Sequence, residues 1–217
     1  MPRPCQPLTA CFAALALGLL GCGPDEGAHS STRKDAMPEH SSGESIAILR
    51  LDARPNAPAI RVTSPAFSPD GMIPLRNSAY GDNWSPPLTW TAAPGAQSYA
   101  LIVEDPDAPR AEPFVHWIAW NIPGDVTSLP ENLSKAEKPG QPAGMIQGVN
   151  GAGETGWFGP RPPAGHGVHR YHFQLFALDG KLDIGPDAEL QTLMNAMKGR
   201  IVAEGELVGR FEQKRPQ

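Results

Sequence analysis

Residues 99–121, YALIVEDPDAPRAEPFVHWIAWN, constrain the fold more than any other stretch of the chain. Tyr99 to Val103 is an apolar run with β-branched residues and reads as a buried strand. Phe114 to Asn121, with Trp117, Ile118 and Trp120, reads as a second. Pro106, Pro109 and Pro113 stiffen the loop between them, because each fixes its own φ and drives the preceding residue towards extended geometry. In an extended Asp105-Pro106-Asp107 the side-chain period is near two, so both carboxylates can face one way. His116 opens the second strand and can return towards them. Two readings stay open: two acids and an imidazole held at one end of a sheet, or a Pro-rich hairpin whose Asp side chains cap turns.

A chain of 217 residues can bury one sizeable core. The 25 Pro and 23 Gly, with few helical patterns, favour a β-rich, loop-rich fold. The net charge of −5 and the lack of a basic run argue against nucleic acid as a partner, since phosphate-backbone binding needs clustered Lys and Arg.

The N-terminus reads as a processed segment. Arg3 supplies a basic start, and Cys11 to Leu20, CFAALALGLL, supplies an apolar run too short for a permanent span. It ends in Leu19-Leu20-Gly21-Cys22, which is similar to a bacterial lipobox. The expected organisation is a signal peptide over 1–21, a lipidated Cys22, a polar tether over 22–45 and a single domain over 46–217. Cys5 and Cys11 would leave with the signal, so no disulfide is expected in the mature domain. Gly23 after the Cys resembles the enterobacterial sorting signal for the outer membrane, which implies a protein facing the periplasm.

Along the domain, Ile46 to Leu51 alternates weakly and predicts an added edge strand. Ile60 to Thr63 and Met72 to Pro74 predict short strands, with a Ser68-Pro69-Asp70-Gly71 turn between them. Residues 123–142 read as a surface excursion and Met145 to Val149 as a strand. Val168 to Leu178 predicts a long strand, in which His169, Tyr171 and Phe173 share one face while Arg170, His172 and Gln174 share the other. Leu190, Leu193, Met194 and Met197 recur at helical spacing, which predicts one helix opening at Pro186-Asp187, with Asp187 as N-cap and Gly199 just past its end. Ile201 to Val208 predicts a last strand before a polar tail from Glu212.

Asp105, Asp107, His116, His169 and Tyr171 are candidates for one pocket. Their chemistry admits an anion site built from imidazole and phenol donors, a metal site of two His and a carboxylate, or acid–base catalysis. The chain carries no G-x-S-x-G, H-E-x-x-H or Walker loop. His166, His169 and His172 have ligand-like spacing, but a strand puts His169 and His172 on opposite faces.

The order of motifs over Ile60 to Phe211 resembles the phosphatidylethanolamine-binding protein family, in its bacterial Raf-kinase-inhibitor-like branch. The matching residues are Asn83 to Trp90, Asp105 to Pro109, His116-Trp117, Asn121 to Pro123, Gly159 through Pro162-Pro163 to Tyr171, and Ala177 to Asp179. The resemblance implies a mainly β fold: a large antiparallel central sheet, a smaller flanking sheet and one or two peripheral helices. It implies a pocket for phosphate, acetate or a phospholipid head group, lined by Asp105, Asp107, His116, Pro162, His169 and Tyr171 and shaped by Pro106, Pro109 and Pro163. It implies no reaction, no cofactor and no metal. The expected function is therefore a lipid-anchored, non-catalytic envelope protein that binds a small anion or phospho head group and touches the membrane through its anchor. The alternatives are an inhibitor of an envelope protease or kinase and, more remotely, a metal-dependent enzyme. If His116 and His169 meet an anion as imidazolium rings, affinity is expected to fall as pH rises. Trp157, where the family commonly has Tyr, and Arg200, where the bacterial branch has His, are departures that bear on ligand identity.

Overall fold

The computed structural model describes residues 46–215, so the signal peptide, Cys22 and the tether read from the sequence lie outside the described residues. Five antiparallel strands form the main sheet in the order β6 (Ile146–Gln147), β4 (Phe114–Pro123), β3 (Ser98–Asp105), β7 (Val168–Leu178) and β8 (Ile201–Glu212). A smaller antiparallel sheet is ordered β1 (Val62–Thr63), β2 (Leu88–Trp90), β5 (Ser128–Leu129). The fold is mainly β, with the large and small sheets expected and two helices, α1 (Ala47–Arg50) and α2 (Leu190–Met197).

Strand β3 lies at the centre and all eight of its residues are buried. Alternation sends Tyr99, Leu101 and Val103 to one face, where they join Trp117, Phe173 and Leu175 and the small-sheet residues Leu88 and Trp90. Ala100 and Ile102 go to the other face, against Trp120, Phe176, Leu193 and Met197 under the two helices. A sheet covered on both sides explains why β3 is a continuous apolar run and not an alternating one. The same parity carries Asp105 to the first face and Glu104 to the second.

Two bulges interrupt the β3–β4 pairing. Val103 pairs with Trp117, but Glu104 pairs with Val115, so His116 has no partner across the ladder. The extra residue puts His116 on the same face as Trp117, which strict alternation would forbid. The second bulge lies between the Tyr99–Ile122 and Leu101–Ala119 pairs. There Asn121 sits at φ 55°, and its side chain accepts the Leu182 N–H at 2.8 Å and donates to the Leu182 carbonyl at 3.0 Å.

Several boundaries differ from the sequence reading. Ile46 to Leu51 is no edge strand: its centre is the short helix α1. Its amides are taken by side chains of the sheet, Ala47 N–H by Glu104 Oε2 at 2.7 Å and Ile48 N–H by Gln174 Oε1 at 2.6 Å. The outer side of β8 already carries the bridges of Ala59 to Glu204 and Met72 to Arg210. The segment crosses the second face and reaches that edge, where Arg54 N–H donates to the Ile201 carbonyl at 3.0 Å and Ile60 N–H to the Glu204 carbonyl at 2.7 Å. Met72 makes that single bridge and no strand. Helix α2 begins at Leu190 and its N-cap is Glu189, without a side-chain bond, so Asp187 does not cap it. Gly199 follows the C-cap Lys198 at φ 74°, the left-handed geometry expected at that place. Strand β8 runs to Glu212, four residues beyond Val208, because it pairs along the whole of β7.

Candidate functional site

The site forms where β3, β4 and β7 end together. Asp105 closes β3 with its carboxylate buried. Its Oδ1 accepts the Asp107 N–H at 2.8 Å, a local turn of the kind an Asp favours. Its Oδ2 accepts His169 Nδ1–H at 2.8 Å. His169, on the same face of β7 as Tyr171, places Nε2 at 2.7 Å from His166 Nδ1. Asp105, His169 and His166 thus form one hydrogen-bonded row. His172 faces the other way and bonds Glu206 at 2.8 Å, as strand alternation requires.

His116, delivered by its bulge, donates from Nδ1 to the Phe158 carbonyl at 2.6 Å. Its ring meets Tyr171 edge-on at 5.0 Å and packs on Phe114 at 4.7 Å. Burial lowers its pKa to about 4, against the opposing pull of Asp105. The ring is therefore neutral near pH 7, with its proton on Nδ1 and a lone pair on Nε2. This corrects the expectation of an imidazolium at His116. The Tyr171 hydroxyl is buried without a hydrogen-bond partner. Burial, together with the charges of Asp105 and Asp107, pushes its pKa up, so it stays protonated and keeps a donor.

Asp107 does not join this group. Residues 106 and 107 form a turn and not an extended pair, so the two carboxylates part. Asp107 accepts the Arg170 N–H at 2.9 Å and grips its guanidinium at 2.8 and 2.7 Å. Burial opposes ionisation there, but the Arg170 bonds outweigh it and hold the Asp107 pKa below the usual value. Arg170 lies on the opposite face of β7 from His169, and it draws Asp107 with it.

A cavity of about 350 Å³ opens above Asp105, His116 and His169. Its walls are Pro109, Phe114, Phe158, Pro162 and Pro163, with Arg110 and Arg161 among the lining residues. Tyr171 lies beneath His116 rather than on the wall, and Pro106 starts the turn outside it. The sequence reading missed both arginines, although each adjoins a proline it had singled out, Arg110 directly after Pro109 and Arg161 directly before Pro162. Arg110 lies over the Phe114 ring at 5.5 Å. Neither guanidinium has an acidic partner among the described residues. Asp105, the one acid in the lining, is already engaged by His169. The arrangement offers cationic donors at an apolar-walled opening and polar groups at its floor, which suits a small ligand with an anionic end. Among the described residues no group of three or more His, Cys, Asp or Glu is placed to hold a metal ion.

Gly159 keeps the Phe158 wall close to the neighbouring loop: a Cβ there would lie 2.5 Å from the Asn77 carbonyl oxygen. The two departures from the family pattern fall away from the cavity. Trp157 is core, stacked on Phe173 at 5.8 Å and donating to the Asn77 carbonyl at 3.1 Å. Arg200 pairs with Asp179 at 3.2 Å.

Comparison with known proteins identifies the family and the fold. The phosphatidylethanolamine-binding protein family model matches residues 63–212. The chain is 45% identical over 149 residues to a UPF0098 protein of Methanothermobacter thermautotrophicus, covering 68% of this chain and 95% of that one. It is 36% identical over 210 residues to LppC of Mycobacterium tuberculosis, named as a candidate lipoprotein, covering 95% of this chain and 96% of that one. Among solved structures, YbcL of Escherichia coli, described as a new member of the mammalian family, superposes with a TM-score of 0.66 at 30% identity, covering 71% of this chain and 99% of that one. A candidate homologue from Chlamydia trachomatis superposes with a TM-score of 0.64 at 38% identity, covering 71% of this chain and 98% of that one. With a family model matched over residues 63–212 and solved relatives that share its fold, the chain belongs to the phosphatidylethanolamine-binding protein family.

Proposed function

We propose that this protein is a lipid-anchored envelope protein that binds a small anion or a phosphate-bearing head group in the cavity above Asp105 and carries out no chemistry on it. The observation that carries this reading is the pair Arg110 and Arg161, cationic, without acidic partners among the described residues, at the mouth of a cavity whose own carboxylate is occupied by His169. A guanidinium matches phosphate geometry and keeps its charge across the physiological pH range. Neutral His116 and the Tyr171 hydroxyl then contribute orientation and not charge. The lining holds no Ser, Thr or Cys to act as a nucleophile. The lipid anchor rests on Leu19 to Cys22 and on the likeness to LppC, which spans nearly the whole chain. An outer-membrane location facing the periplasm is part of the same reading.

The test is thermal stabilisation by inorganic phosphate and by phosphoethanolamine. Each should raise the melting temperature by mass action. The double variant Arg110→Gln, Arg161→Gln should lose most of the shift, and raised salt should weaken it in the wild type. Zinc at equal concentration should do little. A phosphate response that is unchanged in the double variant would refute the assignment.

A further inference from the structure

The loop that backs the pocket wall carries more exposed apolar surface than folding explains. Met72 is 54% exposed, Leu75 60%, Tyr80 41% and Trp84 37%. These side chains stand on a built scaffold. Residues Leu75–Asn77 form a 3₁₀ turn, and Ser78 Oγ donates to the Leu75 carbonyl at 2.7 Å. Trp84 N–H donates to the Arg76 carbonyl at 3.2 Å, and Asn77 Nδ2 to the Trp84 carbonyl at 3.1 Å. Leu75 and Trp84 are thereby held at one end of the loop. The loop is bonded to the wall itself: Tyr80 Oη donates to the Pro162 carbonyl at 2.7 Å, Ala79 N–H to the Pro160 carbonyl at 3.0 Å and Gly159 N–H to Asn83 Oδ1 at 2.8 Å. The loop that carries these side chains is therefore bonded to Pro160 and Pro162, the residues on either side of the cavity-lining Arg161.

We infer that loop 72–84 is a membrane-docking element, which seats Leu75, Trp84 and Met72 at the boundary between head groups and acyl chains of a phospholipid bilayer. The inference deepens the anion reading of the pocket and rests on it in one respect: the phosphate that Arg110 and Arg161 meet belongs to a bilayer lipid and not to a free metabolite. A bilayer fits this loop for three reasons. Aliphatic side chains beside Trp and Tyr match the interface, where the apolar body is buried and the polar tip stays wet. Two guanidiniums without acidic partners complement a layer of phosphates. A segment from residue 22 to residue 45 can extend at most about 80 Å, so a chain anchored at Cys22 can present this loop to the surface that holds it. Acids lie on and beside the loop at Asp70, Asp82 and Glu131; Asp70 is paired with Arg210 at 3.2 Å and Glu131 with Arg76 at 3.0 Å.

Trp84 supplies its own probe, because the other four tryptophans, Trp90, Trp117, Trp120 and Trp157, are buried. The purified full chain is mixed with vesicles of phosphatidylethanolamine and phosphatidylglycerol in which the acyl chains are brominated near the head group or deeper. Shallow bromines should quench part of the tryptophan emission, deeper ones less, and Trp84→Phe should remove the lipid-dependent part. The double variant Met72→Ser, Leu75→Ser should cut the quenching several-fold while its melting temperature and its stabilisation by inorganic phosphate stay as in the wild type. No quenching by either lipid, with Trp84 still open to iodide, overturns the inference. Protection from iodide without bromine quenching also overturns it, since it would place the loop against protein. The phosphate response of the same samples reports on the pocket alone, so a failed pocket and a failed docking loop give different results.

Discussion

His116 should make the fold acid-sensitive in a way that one substitution removes. Its pKa is 6.5 in an unfolded chain and about 4 in the fold, where burial disfavours the charged ring. The unfolded chain therefore takes up the proton first. Stability contributed by the neutral ring is complete above pH 6.5, falls as pH drops below it and is exhausted near pH 4. At about 1.4 kcal/mol per pH unit the whole effect is about 3 kcal/mol, of which about 2 kcal/mol is gone by pH 5. For a domain of this size that is roughly 4–8 °C in melting temperature. Glu104 works in the opposite sense, because burial raises its pKa and proton uptake favours the fold. The comparison must therefore be between wild type and His116→Gln, which share Glu104. Gln keeps a donor for the Phe158 carbonyl and cannot titrate. Denaturant unfolding at pH 7 and pH 5 should show the wild type losing about 2 kcal/mol more than the variant. An equal loss in both proteins would mean that His116 is not held neutral by burial, and the assignment of the pocket's charge to the arginines would lose its main contrast.

Two further outcomes follow, one from the geometry and one from the lipobox-like sequence that ends at Cys22. Asp107→Ala should cost about 1–2 kcal/mol of stability, since it strips Arg170 of its acceptors at a half-exposed site, yet leave the phosphate response intact because Asp107 turns away from the cavity; a lost phosphate response with unchanged stability would contradict the structure. Cys22→Ser should release the protein from the membrane fraction and abolish the acyl mass expected on the wild type by spectrometry; a variant that still pellets, with no acyl mass on the wild type, would refute the proposed anchor.

Much of the sheet was legible because burial writes itself into residue order. Strand β7 was readable to the residue, since its two faces meet different environments and the alternation of His169, Tyr171 and Phe173 against Arg170, His172 and Gln174 survives in the fold. His116 was legible as a candidate but not in its mechanism. It reaches the site through a bulge, and a bulge leaves no periodic trace. Asp107 was misplaced because the sequence shows two acids one proline apart and does not show Arg170 waiting on the other face. Segment 46–51 was misread because its structure is set by acceptors far along the chain, Glu104 and Gln174, which no local window contains. Arg110 and Arg161 were overlooked because an exposed arginine in a loop looks ordinary until the chain closes around a cavity.

The crossing segment also decides how the domain bears load. A pull on the chain at Ile46 arrives first at Ala47 and Ile48, whose amides are moored to side chains of the two central strands. Only after these let go does the force pass to Arg54 and Ile60 at the β8 edge. Traction applied at Ile46 thus meets the acceptors on β3 and β7 before the outer rungs of β8, whereas an attachment at β8 alone would load that edge strand first.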